Sequence, residues 1–203
     1  MALLRFFASG RQGGERPVPA WRTCVAVLAF WLGTPGPATA KPTLEYQLKA
    51  VFLYRFSQFV EWPQQAFATA QTPLAVCVLG DDPFGDFLDE TVQGEAVNGH
   101  PLQVLRLRHV EAAEGCHILF VSDSEQANLK SIVEALRGRH VLTVSNGEAF
   151  VRSGGIVGFR LADRRIRLAI NPEAARSAGL RISSKLLRSA ELVTPEGDSH
   201  VLP

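Results

Sequence analysis

Three short apolar runs constrain the fold most: Leu74-Ala75-Val76-Cys77-Val78-Leu79, Cys116-His117-Ile118-Leu119-Phe120-Val121 and Val141-Leu142-Thr143-Val144. Runs of this length read as buried strands. Leu102 and Val104 supply a further strand before the polar Arg108–Gly115 loop. Segments with helical spacing lie between the strands. Asp82 caps a helix opened by Pro83, with Phe84, Phe87 and Leu88 turned inward. A second helix runs over Glu125–Arg137 with Leu129, Ile132, Val133 and Leu136 on one face, and Ser145-Asn146-Gly147 closes the last strand as a turn. Strands alternating with helices in this way predict right-handed crossovers and a mainly parallel sheet.

A long helix precedes these units. Leu44, Leu48, Val51, Phe52, Phe56, Phe59 and Val60 recur at helical spacing, Lys49, Arg55 and Gln58 are free to face water, and Trp62-Pro63 ends the helix. The pattern changes after Gly154-Gly155. Val157, Phe159 and Leu161 alternate with polar or small residues, as do Ile166, Leu168 and Ile170, and Ala162-Asp163-Arg164 joins them into an antiparallel hairpin. Arg165 and Arg167 then project from the face opposite Ile166. Asn171 caps the next helix, with Pro172 at its first position. Gly179 interrupts it, a last helical stretch runs from about Ile182 to Leu192, and the final ten residues read as a frayed tail. The fold class is therefore α/β: a single compact domain, mainly parallel sheet with an added antiparallel hairpin, flanked by helices.

The first forty residues read as an export address. Arg5, Arg11, Arg16 and Arg22 stand against the single acid Glu15, and the apolar run Cys24–Leu32 follows. It is nine residues long, whereas a membrane-spanning helix needs about 20. Gly33, Pro35, Gly36 and Pro37 stop it, and Ala38-Thr39-Ala40 supplies the small residues of a cleavage site, placing the cut between Ala40 and Lys41. Residues 1–40 are thus read as a signal peptide and 41–203 as the domain, with its core over about 44–193. Export points to the bacterial periplasm, and no later stretch is long and apolar enough to insert in a membrane.

Without residues 1–40, Lys plus Arg falls from 21 to 17 and Asp plus Glu from 20 to 19, a net charge of −2. The mean hides an asymmetry: residues 41–151 hold 8 bases and 14 acids, whereas residues 152–188 hold 9 bases and 2 acids. A basic segment of that kind suits an anionic ligand, an acidic partner or a lipid headgroup surface, or is simply a solvated face. The two cysteines that remain, Cys77 and Cys116, allow a disulfide in an oxidising compartment. Both lie in apolar runs, where reduced buried cysteine is equally at home.

The sequence shows little chemistry. None of His100, His109, His117, His140 and His200 forms a zinc-protease helix pattern, and Gly-x-Ser-x-Gly and Cys-x-x-Cys are absent. Leu79-Gly80-Asp81-Asp82-Pro83 stands where a dinucleotide fold puts its phosphate loop, but its two carboxylates would repel a phosphate. No catalytic residue, metal, cofactor or nucleic-acid partner is expected. Arg181, Ser183, Ser184 and Lys185 gather a fixed charge, hydroxyls and an amine beyond Gly179 and are the candidates for partner or ligand binding. The plainer reading makes Arg181 and Lys185 a solvated face and the serines a helix cap.

Several stretches go beyond generic patterning: Tyr46-Gln47-Leu48-Lys49-Ala50-Val51-Phe52-Leu53-Tyr54-Arg55-Phe56 with Phe59-Val60-Glu61-Trp62-Pro63; Val78-Leu79-Gly80-Asp81-Asp82-Pro83-Phe84-Gly85; Gly154-Gly155-Ile156-Val157-Gly158-Phe159; and Ile170-Asn171, Ala174-Ala175 and Gly179–Leu187. In this order, from about Leu44 to Val193, they resemble the YfiR family of small periplasmic proteins. The resemblance implies a compact α/β domain, able to dimerise, that represses an inner-membrane diguanylate cyclase by engaging its periplasmic sensor domain, lowering cyclic di-GMP and restraining biofilm formation. It also implies that Cys77 and Cys116 are a redox-sensitive pair. The second pair that some members carry near the Gly-Gly hairpin is missing here. A receptor for a small ligand, signalling to a sensor kinase or transporter, is the alternative, with its pocket at the basic segment and the strand ends.

Overall fold

The computed structural model describes residues 42–194 and the backbone of 199–200. The proposed signal peptide and its cleavage site lie outside the described residues. Strand β2 (Leu74–Leu79) is an inner strand of the parallel sheet. Its neighbours are β4 (His100–Leu107) on one side and β5 (Ile118–Val121) on the other, followed by β6 (Leu142–Asn146) and β7 (Val157–Ala162), all parallel. This is a doubly wound order, with its switch point beside β2. β7 turns back into β8 (Arg165–Ile170), which carries β10 (Glu191–Val193) in parallel and, beyond it, the antiparallel β11 (Ser199–His200); the short β3 (Ala96–Val97) edges β4.

Every residue of β2 and β5 is buried because helices cover both faces. Val76, Val78, Ile118, Phe120, Leu142, Val144, Val157 and Phe159 point to one layer. That layer holds α1 (Leu44–Phe59), α2 (Asp86–Val92), α5 (Pro172–Ser177) and α6 (Ser184–Leu187). Ala75, Cys77, Leu79, Leu119 and Val121 point to the other, beneath α3 (Leu129–Ala135) and α4 (Glu148–Arg152). Both layers are built from residues between Tyr46 and Val193, so the domain carries its own core.

The hairpin forms as the alternation predicts, with Ala162 opposite Arg165 and Asp163-Arg164 as a two-residue turn. Both turn residues have positive φ, +52° and +60°, as this kind of tight turn requires. For an arginine that conformation costs about 1 kcal/mol. Asn171 caps α5 as expected, its side chain accepting from the Glu173 and Ala174 N–H groups. The glycines of the Gly154-Gly155…Gly158 stretch answer a packing demand. A Cβ on Gly155 would meet the Phe150 ring at 2.3 Å, and one on Gly158 the Gly147 carbonyl oxygen at 2.5 Å.

Several local expectations are corrected. α1 buries Lys49, Ala50, Leu53, Phe56 and Ser57, while Leu44 and Leu48 face solvent. The buried stripe is thus rotated from the apolar one, because Phe52 and Phe56 lean on Phe159 and draw that side of the helix onto the sheet. Asp82 does not cap a helix at Pro83. Its carboxylate accepts from the Phe84 N–H and pairs with Arg106, and α2 starts only at Asp86. The helix expected over 125–137 opens as a 3-10 turn, Asp123–Asn128, before α3. Ser145 and Asn146 extend β6 instead of forming a turn, and α4 follows. The last helical stretch shrinks to the single turn α6, because Arg181-Ile182 forms β9 against β1 (Val60–Glu61) and Glu191-Leu192 joins β8. The tail is not wholly frayed, since Ser199–His200 pairs with β10.

Candidate functional site

Arg181, Ser183, Ser184 and Lys185 lie on one continuous edge, where β9 pairs with β1 at the C-terminal end of α1. Arg181 is opposite Glu61, its Nε 3.6 Å from the carboxylate, and its side chain is 85% exposed. An exposed pair at that distance holds the guanidinium loosely and leaves it available. The Ser183 N–H donates to the Phe59 carbonyl at 2.9 Å, and its side chain caps α6 by accepting from the Leu186 N–H. Ser184 begins α6, and the Lys185 ammonium sits 5.6 Å from the centre of the Phe59 ring. Ser183 therefore has a structural task, while Arg181 and Lys185 offer charge on a tied-down backbone.

Cys77 and Cys116 form a disulfide, with Cα atoms 6.0 Å apart. Both are buried, and the bridge ties mid-β2 to the segment entering β5 on the α3 and α4 side of the sheet. Closing a loop of 39 residues stabilises the fold by roughly 4 kcal/mol on the chain-entropy model. The bridge and the Arg181–Lys185 edge thus belong to different layers, since Leu186 of α6 packs in the α1 layer.

A third constellation escaped the sequence. Lys49 is buried, not solvated, and its ammonium donates to Glu45 and, at 2.7 Å, to Asn146 Oδ1. It also stands 4.5 Å from the centre of the Tyr46 ring. Asn146 Nδ2 donates to Asp123 Oδ1 at 2.9 Å, and the Tyr46 hydroxyl donates to Asp123 Oδ2 at 3.1 Å. Burial, with the charge of Asp123 adding to it, pushes the Tyr46 phenol up, so it stays protonated as a donor. These groups border an open cavity of about 480 Å³ outside the carboxyl ends of β6 and β7. Lys49 reads from sequence as one more exposed charge. Only Asn146, 97 residues away, reveals its role.

At the opposite end of the sheet His117 is buried, stacked on Phe67, which stacks in turn on His100. Its Nδ1 accepts from the Ala75 N–H at 3.1 Å, and its Nε2–H donates to the Ala66 carbonyl at 3.1 Å. Burial pushes the imidazole below its ordinary 6.5. Among the described residues, no cluster of three or more His, Cys, Asp or Glu side chains is arranged to hold a metal ion.

The fold and these sites define a doubly wound α/β domain with a cross-linked inner strand and a charged, two-stranded edge. The chain belongs to the YfiR/HmsC-like family, whose model matches residues 46–191. No curated protein matches it significantly. At the level of family, membership supports a periplasmic regulator in the cyclic di-GMP pathway, and the family is one of regulators, not a known catalytic one. No helix among the described residues is long and apolar enough to cross a membrane.

Proposed function

We propose that the protein is exported to the periplasm, with cleavage after Ala40, and represses an inner-membrane diguanylate cyclase by binding its periplasmic sensor domain. Family membership over residues 46–191 is the observation that carries this reading. The exposed Arg181 and Lys185 on the β1–β9 edge support it as a contact surface, because their backbone is fixed while their charges, Arg181 only loosely paired with Glu61, remain accessible to an acidic partner. A periplasmic protein shifts a transmembrane equilibrium only by binding one state of its partner better, and about 1.4 kcal/mol of difference moves the ratio tenfold. Cys77–Cys116 would then set how much folded repressor survives a change of redox conditions. Deletion of the gene should raise cyclic di-GMP and biofilm; unchanged levels in a strain that retains the membrane cyclase would sink the proposal. Dimerisation belongs to the same proposal and is read from the mass in solution.

The cavity beside Lys49 favours one second reading, a receptor for a small polar ligand that signals to a sensor kinase or transporter. A neighbouring gene for such a protein, in place of a membrane cyclase, would favour it.

A further inference from the structure

The basic segment of residues 152–188 is not one patch. Arg152 and Arg160 pair with Glu148, Arg160 also with Glu191, Arg176 with Glu173, and Arg181 with Glu61. Arg164, Arg165 and Arg167, at the tip of the β7–β8 hairpin, form no ion pair among the described residues. Two further features are concentrated there. Arg167 lies directly across from Arg160, whose charge is already taken up by Glu148 and Glu191, so Arg167 is left without a carboxylate of its own among the described residues. Arg164 occupies a left-handed turn position that glycine or asparagine would take without cost. On the other face of the same tip, Leu161 is 63% exposed opposite Ile166. It borders the same cavity as Glu45 in the first turn of α1, whose neighbouring Leu44 is 80% exposed.

We propose that the β7–β8 hairpin tip is a contact surface for anionic phospholipid, with Arg165 and Arg167 meeting headgroup phosphates and Leu161 entering the acyl boundary. The arginine fork suits phosphate oxygens, and its long stem lets the charge stay at headgroup level while an apolar neighbour goes deeper. An acidic protein would satisfy the arginines on one side of the hairpin and leave Leu161 on the other without a counterpart. A headgroup layer surrounds the tip on both sides. Without residues 1–40 the chain is net −2, so attraction to an anionic membrane has to come from a local patch and not from overall charge. The surface would hold the domain at the membrane, whichever partner it regulates, so this inference stands apart from the cyclase reading.

The test is co-sedimentation of the chain beginning at Lys41, which retains every described residue, with vesicles of phosphatidylglycerol and phosphatidylcholine. Binding should appear on the mixed vesicles, be absent on phosphatidylcholine alone, and weaken with added salt. Arg165→Gln with Arg167→Gln should lower the affinity roughly thirtyfold, at the usual contribution of a basic residue near such a surface. Leu161→Ser should weaken binding several-fold while leaving its salt dependence intact, and Arg176→Gln, an exposed arginine elsewhere, should change nothing. Far-UV circular dichroism checks that each variant is folded. Failure to bind mixed vesicles at low salt overturns the proposal, as does equal binding by the folded double variant. Capture of polyglutamate through these arginines without any vesicle binding also overturns it, and assigns the tip to an acidic protein.

Discussion

The two layers that cover the sheet are held by different means. On the α1 side a helix of sixteen residues lays Phe52 and Phe56 against Phe159 of β7, and Phe84 and Leu88 at α2 join the same apolar layer. On the other side α3 has seven residues and α4 five, and the Cys77–Cys116 bridge runs beneath them. A long helix buries enough apolar surface to secure its own layer. One- and two-turn helices do not, and the covalent link supplies part of what their packing lacks. The charged groups divide differently: the exposed Arg181 and Lys185 and the buried Lys49 cluster belong to the α1 side, whereas the bridge is enclosed by apolar residues, and an open cavity of about 370 Å³ beside α3 is bordered by Leu136, Arg137, Val141 and Asn171.

The sharpest test of this contrast is Phe56→Ala. Phe56 is fully buried and stacks on Phe159 with ring centres 6.0 Å apart, so its loss should cost about 4–5 kcal/mol in urea unfolding. Next comes the bridge: replacing both cysteines by alanine should cost roughly 4 kcal/mol. An unchanged urea midpoint would show that the α3 and α4 layer needs no covalent help. A free-thiol assay on the folded protein should find neither cysteine reactive. Lys49→Met should destabilise by about 2–3 kcal/mol, because Asn146 loses its buried donor while Glu45 stays partly hydrated. If that variant is as stable as the parent, the Lys49 cluster contributes nothing to holding α1 on the sheet.

His117 gives a smaller, pH-dependent effect. Its folded pKa lies below its unfolded value, so the unfolded chain takes up a proton first as the pH falls. Its contribution is complete above about pH 6.5 and is lost progressively as the pH drops from there towards the folded value. His117→Asn should be less stable at neutral pH yet show a flatter stability profile below pH 6.5, measured by urea unfolding across that range. The smallest effect on stability is expected for Arg181→Glu, within about 0.5 kcal/mol, because the site is exposed. Its readout is pull-down of the proposed membrane partner, and undiminished binding would remove Arg181 from the proposed contact surface.

Local chemistry made much of this legible in the sequence. Unbroken apolar runs identified β2, β5 and β6, period-two alternation identified the hairpin, and Asn171-Pro172 marked the start of α5, because each signal depends only on neighbours in the chain. The same logic failed where distant segments competed for the backbone. Arg181-Ile182 and Glu191-Leu192 lie within or beside a helical pattern, yet edge hydrogen-bonding to β1 and β8 outweighs one more turn of helix.

The candidate site divides along the same line. Arg181, Ser183, Ser184 and Lys185 are adjacent in sequence, so their common placement was readable, although the pairing that exposes them was not. Lys49 and Asn146 were unreadable as a pair, because nothing local tells a helix which of two apolar stripes will meet the sheet. What the sequence determined by itself is the α/β class, the order of its strands and helices along the chain, and the family likeness. The tertiary structure alone decided which strands lie side by side, which charge is buried, and that Cys77 and Cys116 share one face of the sheet. That last point rests on strand register, since a shift of one residue carries a side chain to the opposite layer.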